Sequence, residues 1–233
     1  MKISSNNDTK LNREQLGTIY PSYKSTYFFN DEFINENHQY YENCERDLSN
    51  TIIKTQIDGW LRPADALKIY ELAYFSQGNI LELGTFHGLS TSIISKANHD
   101  SNNHHNIATI DIDQSSSDIA KTNLQSIDGS DKIEYLVGNA TDLLDNLITE
   151  GKQFSFSFID HSHKYNDVHQ ACLRLDELIK PGGFCLFHDY NDPRNNVPDE
   201  DDYGIYQAVH DGLSENNFEF YGIFGCSVAF KKI

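Results

Sequence analysis

Asn79-Ile80-Leu81-Glu82-Leu83-Gly84-Thr85-Phe86-His87-Gly88-Leu89-Ser90-Thr91 is the stretch on which the fold turns. Its first residues form a short apolar run that stops at a glycine, the mark of a buried strand. Gly84 and Gly88 permit a tight turn and close approach of a ligand to the backbone. Ser90 and Thr91 then open a segment in which Leu89, Ile93, Ile94 and Ala97 recur at helical spacing. The free N–H groups at such a helix start can hold an anion. Taken alone, the glycine pair fits an ordinary strand-to-helix loop equally well.

The same alternation extends along the chain. NIATID (106–111) reads as a second strand, followed by a helix through Ile119, Ala120, Asn123 and Leu124 with Ser115–Ser117 as its expected cap. KIEYLV (132–137) is a third strand and Leu143, Leu144 and Leu147 a short helix. FSFSFI (154–159) is a fourth strand. The stripe Val168, Cys172, Leu175, Leu178, Ile179 is a helix expected to end at Pro181-Gly182-Gly183. FCLFH (184–188) is a fifth strand, Ile205, Ala208, Val209 and Leu213 a last helix, and FEFYGI (218–223) with SVAF (227–230) a hairpin around Gly225. Upstream, Pro63 suits a first helical turn, and Leu67, Tyr70 and Ala73–Tyr74 continue it. This order predicts an α/β fold: a doubly wound, mostly parallel seven-stranded sheet with the last strand antiparallel. The fourth strand alternates Phe and Ser where a central parallel strand is usually apolar, so its serines need backbone partners.

That domain spans residues 58–233. Residues 1–57 form a polar tail and a helical extension rich in aromatics: Tyr20, Tyr23, Tyr27, Phe28, Phe29, Phe33, Tyr40 and Tyr41. These rings must pack on the main domain, on a second subunit in a homodimer, or over a ligand as a lid.

The 233 residues carry 18 Lys+Arg against 35 Asp+Glu, a net charge of −17. Such a surface repels phosphate backbones, so nucleic acid is not an expected partner. No apolar run approaches the ~20 residues of a membrane span. The first residues hold no signal-peptide core. Cys44, Cys172, Cys185 and Cys226 form no CxxC pair and read as buried free thiols, pointing to a reducing, cytoplasmic compartment.

The glycine spacing is G-x-x-x-G, and Phe86 stands where a dinucleotide site needs a second glycine for the pyrophosphate. A nucleoside without pyrophosphate fits better. Asp111, closing the second strand, can accept both hydrogen bonds of a ribose diol. Asp160 and Asp189 close the fourth and fifth strands, which such a fold makes neighbours about 4.8 Å apart. Two anions that close need a cation or a proton between them, and oxygen ligands favour Mg²⁺, Ca²⁺ or Mn²⁺. Without a metal, Asp160 is left to pair with Lys164 or Arg194, and His188 to sit in the core.

ELGTFHGLST, the acid of TIDID, and the later GNA, FIDHSH, KPGG and FHDY together resemble class I S-adenosylmethionine-dependent methyltransferases, in particular the metal-assisted small-molecule O-methyltransferases of the catechol and macrolide-sugar kind. The resemblance implies that Glu82, Gly84, Thr85, Gly88 and Ser90 surround the methionine end of the cofactor. It places Asp111 on the ribose, Ile112, Asn139 and Ala140 on the adenine, and Asp160 beside the cofactor. Asn139 also reads as a turn residue or helix cap. Asp160 and Asp189 match two metal ligands and His188 the position of a third, Mg²⁺ being the expected ion and an imidazole ligand admitting Mn²⁺. Catechol-type members have an asparagine where this chain has Tyr190. His163 stands where they carry a catalytic lysine, and is the expected base acting with Asp160; the alternative is a cap or a group orienting Asp160. His161 reads as structural. YNDPRNNVPDEDDY (190–203) is either a lid or a solvated turn.

The implied function is S-adenosylmethionine-dependent O-methylation of a small-molecule hydroxyl (a phenol, sugar or natural product). The alternatives are a metal-independent N- or C-methyltransferase and a non-catalytic cofactor-binding protein; Phe86 disfavours a nicotinamide oxidoreductase. Thermal unfolding separates these cofactors. S-adenosylmethionine or S-adenosylhomocysteine at 100 times Kd should raise Tm by roughly 5–10 °C, and NAD should not.

Overall fold

A computed structural model describes residues 9–23, 36–48, 50–197 and 203–233. An α-helix, α1 (Glu36–Asn43), and a two-stranded hairpin, β1 (Arg46–Asp47) with β2 (Ile52–Ile53), precede the main sheet. The sheet is then built by alternation: α2 (Pro63–Tyr74), β3 (Ile80–Leu83), α3 (Leu89–Asp100), β4 (Ile107–Asp111), α4 (Gln114–Leu124), β5 (Ile133–Val137), α5 (Ala140–Thr149), β6 (Phe154–Ile159), α6 (Tyr165–Leu178), β7 (Ile179–Phe187), α7 (Ile205–Gly212), β8 (Phe218–Phe224) and β9 (Ser227–Lys232).

Seven strands lie in the order β5-β4-β3-β6-β7-β9-β8. The first five are mutually parallel, and β9 runs antiparallel to both β7 and β8. The expected sheet is therefore present, with the chain-terminal strand slotted between β7 and β8. The order reverses between β3 and β6, and ligands in such sheets bind beyond the carboxyl ends of the strands at that point. Leu83 pairs with Ile159, and Ile159 with Phe187, so the residues that follow these three strands emerge side by side.

Apolar layers cover both faces. One joins Ile69 and Leu72 of α2, Ile93 and Ile94 of α3, and Phe156 and Phe158 of β6. The other joins Leu81 and Leu83 of β3 to Leu175 of α6 and Val209 of α7. Because successive strand side chains alternate faces, β6 supplies Phe156 and Phe158 to one layer while Ser157 faces the other. Ser157 is fully buried and its hydroxyl lacks a hydrogen-bond partner, so the expected backbone bond is not made.

Local signals differ from expectation at two helix ends. Asp113, rather than Ser115–Ser117, caps α4: its carboxylate accepts from the N–H groups of Ser115 and Ser116 at 3.1 Å. Helix α6 ends at Leu178, and Pro181-Gly182-Gly183 lie within β7, opposite the irregular pairing between Phe154 and Phe156.

Leu16 is buried against the sheet, and Gly225 N–H donates to Pro21 O at 2.7 Å. Tyr23 and Tyr41 are buried in the first layer, Tyr41 with its ring 6.0 Å from that of Tyr70, so these aromatics pack on the main domain. Tyr27, Phe28, Phe29 and Phe33 lie outside the described residues. All four cysteines are free and buried. No helix among the described residues is long and apolar enough to cross a membrane.

Phe156 carries much of the first layer at 1% exposure. Phe156→Ala should lower the unfolding free energy by about 3–5 kcal/mol in urea titration.

Candidate functional site

The carboxyl ends of β3, β4, β6 and β7 surround a cleft of about 730 Å³ lined by Gly84, Thr85, Ser90, Asp111, Asp160, His161, His163, His188 and Asp189, with Trp60, Arg62, Phe86 and Tyr203 at its walls. A second hollow of about 320 Å³ adjoins it, lined by Ile112, Asn139, Ala140 and Thr141. Gly84, Asp111 and His161 line both. The two hollows thus gather all the expected cofactor-side residues except Glu82 and Gly88, which shape the turn beneath.

Glycine is required at that turn. Gly84 has φ +97°, and a Cβ there would lie 2.3 Å from the carbonyl oxygen of Asp160. Gly88, at φ +93°, starts α3. Glu82 is fully buried under the turn and accepts bonds from Ser90 Oγ (2.6 Å), Thr91 Oγ1 (2.5 Å) and Thr109 Oγ1 (2.6 Å). Burial pushes its carboxyl up to about 7 against the opposing effect of these hydroxyls. The Ser90 hydroxyl is therefore committed to Glu82.

Asp111 accepts from Phe86 N–H at 2.7 Å and from Asp113 N–H at 2.9 Å, which orients its carboxylate at the junction of the two hollows. Ile112 is 75% exposed, an apolar face beside the smaller hollow. The Asn139 side chain caps α5, accepting from Thr141 N–H at 2.9 Å, so the residue meets the hollow while its amide oxygen serves the helix. Phe86 sits at φ +45° and stacks on His87 at 3.8 Å; Trp60, 62% exposed, lies 5.7 Å from Phe86.

The acids at the strand ends meet two imidazoles. Nδ1 of His188 is 3.3 Å from Oδ1 of Asp160 and 3.3 Å from Oδ2 of Asp189. Nε2 of His163 is 3.0 Å from Oδ2 of Asp189, and its ring stacks on Tyr203 at 4.5 Å. His188 is buried, and neither of its ring nitrogens has hydrogen-bond geometry to a partner. Burial opposes charge on His188, but Asp160 and Asp189 outweigh it and hold the ring well above the usual histidine range. The bond to Asp189 likewise raises His163. Burial would raise Asp189, but the two histidines pull it far below the usual carboxylate range. Arg194 is engaged by Asp192 at 2.8 Å, so it is not the partner of Asp160.

This donor set fits a divalent ion. Ligand atoms of Asp160, His163 and Asp189 lie within 4.8 Å of one another. The 3.0–3.3 Å spacings match neighbouring ligand atoms around an ion with bonds of about 2.1 Å. His188 lies outside that group of three, its Nδ1 standing 3.3 Å from an oxygen of each carboxylate. The structure thus gathers His163 with the expected Asp160 and Asp189, and leaves the expected His188 beside that group. Trp60 and Cys226 also line the cleft and had no sequence signal, standing in segments that read as ordinary loop and hairpin; Tyr203, which lines it too, closes the 190–203 segment read as lid or turn, of which 198–202 lie outside the described residues.

A family profile described as "Methyltransferase domain" matches residues 81–190. Caffeoyl-CoA O-methyltransferase 1 of Eucalyptus globulus is 34% identical over 105 residues, 45% of this chain and 42% of that protein. O-methyltransferase imqG of Aspergillus flavus is 40% identical over 85 residues, 34% of this chain and 33% of that protein. The matched stretches thus span less than half of these relatives. Among solved structures, the O-methyltransferase TomG of Streptomyces achromogenes, in complex with SAM, aligns with TM-score 0.60 at 22% identity, covering 75% of this chain and 81% of TomG. An O-methyltransferase of Bacillus cereus in complex with SAH aligns with TM-score 0.59 at 20% identity, covering 89% and 94%. The fold is that of the Rossmann-like methyltransferases, and the resemblance to methyltransferases read from the motifs is borne out over residues 81–190.

Glu82 gives a pH test. An acid raised to about 7 in the folded state holds a proton that the unfolded chain releases near 4.3. Stability should therefore fall as pH rises from about 4.3 to about 7, and Glu82→Gln should flatten that part of the urea-midpoint profile.

Proposed function

We propose that this chain transfers the methyl group of S-adenosylmethionine to a hydroxyl of a small molecule, with a divalent cation, Mg²⁺ or Mn²⁺, at Asp160, Asp189 and His188, and His163 left free as the base. The observation that carries this reading is the pair of carboxylates at the ends of β6 and β7, beside the glycine turn and the Asp111 carboxylate. The four free, buried cysteines support a cytoplasmic setting.

In this reading Asp111 holds the ribose hydroxyls, Ile112 and the 139–140 backbone face the adenine, and Gly84 and Gly88 admit the methionine end. The methyl carbon passes to the hydroxyl oxygen; the C–S electron pair stays on sulfur, leaving the neutral thioether. A bound cation supplies acidity to the hydroxyl. His163 then accepts the hydroxyl proton on Nε2, the nitrogen now facing Asp189. Trp60 and Phe86 offer a ring-lined wall, which suits an acceptor with a flat or apolar face. Residues 1–57 contribute to that wall through Leu48, Thr51 and Ile52. The −17 charge makes nucleic acid a poor substrate.

Asp160→Asn with Asp189→Asn should abolish EDTA-sensitive production of S-adenosylhomocysteine across a panel of phenols and sugars; full turnover by that double variant would sink the metal reading and favour a metal-independent methyltransferase. His163→Gln should lower kcat by about 10²–10⁴-fold while calorimetry shows unchanged cofactor affinity. Asp111→Ala should weaken S-adenosylhomocysteine binding and leave the circular dichroism spectrum intact.

A further inference from the structure

Behind His188 lies a carboxylate that the reaction outlined above does not use. Asp65, in the first turn of α2, is fully buried. Its Oδ1 accepts from the N–H groups of Cys226 and Ser227, both at 3.0 Å, and from the Ser227 hydroxyl at 2.7 Å. Its Oδ2 accepts from Arg62 N–H at 2.9 Å and lies 3.8 Å from Nε2 of His188. Gly225, at φ +60°, makes room: a Cβ there would stand 2.9–3.0 Å from the carboxyl atoms of Asp65. One side chain thus fastens α2 to the turn between β8 and β9 and holds both against the ring of His188.

The two ring nitrogens of His188 face different carboxylates. Nδ1 faces Asp160 and Asp189; Nε2 faces Asp65. Neither nitrogen has a hydrogen-bond partner, so these carboxylates are the polar groups each nitrogen faces. An imidazole that ligates through one nitrogen carries its proton on the other, and a carboxylate behind that proton selects the tautomer and fixes the ring. Phe158 meets the ring edge-to-face at 6.1 Å and can limit its tilt, but has no acceptor. The backbone donors satisfy lone pairs of Asp65 without supplying a full positive charge, and a buried carboxylate gains from a nearby N–H of an imidazole.

We infer that Asp65 is the positioning residue for His188: it keeps the proton on Nε2 and turns Nδ1 toward the cation site between Asp160 and Asp189. This rests on the metal reading of the preceding subsection. It acts through His188 and touches neither cofactor nor acceptor.

Asp65→Asn tests it, because the amide oxygen can still accept from Cys226 and Ser227 while the amide nitrogen replaces the acceptor facing His188. Mn²⁺ binding read by electron paramagnetic resonance should weaken about 10–100-fold, with S-adenosylhomocysteine affinity and the circular dichroism spectrum unchanged. In a His188→Gln background, Asp65→Asn should add no further loss, since its effect passes through the ring. Unchanged Mn²⁺ affinity, an additive loss in the double variant, or a parallel loss of Mn²⁺ and S-adenosylhomocysteine affinity would each overturn the assignment. If the wild-type protein binds no Mn²⁺, the metal reading falls. The orientation of His188 in metal-free crystals of Asp65→Asn then decides the positioning role by itself: a turned ring upholds it, and an unmoved ring overturns it.

Discussion

Repulsion between two carboxylates organises the site. Asp160 and Asp189 follow adjacent, in-register strands, so the sheet itself forces them together. Side by side in a partly buried cleft, two anions are tolerable only with positive charge between or around them. The molecule gathers two imidazoles at 3.0–3.3 Å from their oxygens, and both rings are pushed toward the charged form. In the proposed reaction a divalent cation would take over that charge and free His163 to act as a base.

The rest of the architecture serves that point. Parallel pairing of β3, β6 and β7 places the glycine turn, Asp160 and Asp189 on one edge. The absent side chain of Gly84 lets the turn lie against the backbone of Asp160, where a Cβ would meet the carbonyl oxygen at 2.3 Å. Glu82 braces the turn from below through three hydroxyl donors. These contacts tie β3, β4 and α3 together beneath the turn.

Much of this was legible in the sequence because it is local. Strands β3 to β7 announce themselves as apolar runs ending in a glycine or an acid, and the glycine turn and strand-end acids follow from chain position alone. What was hidden depends on contacts between distant segments. Asp65 reads as an ordinary acid in a first helical turn; its use is set by Cys226 and Ser227, far along the chain. Trp60 and Tyr203 belong to loops whose direction no periodicity records. The true cap of α4 is Asp113, which outcompetes the serines that follow because its carboxylate reaches both of their N–H groups. Pro181-Gly182-Gly183 signals a helix end, yet the strand begins before it, since Ile179 is drawn into pairing with Phe154.

The charge argument is tested most directly by a crystal soaked with S-adenosylhomocysteine and Mn²⁺ and measured at the manganese absorption edge. The account predicts an anomalous peak bonded to carboxylate oxygens of both Asp160 and Asp189 and to an imidazole nitrogen, with the ribose on Asp111. An ordered S-adenosylhomocysteine with no peak there, the carboxylates bonded only to His163 and His188, would contradict it.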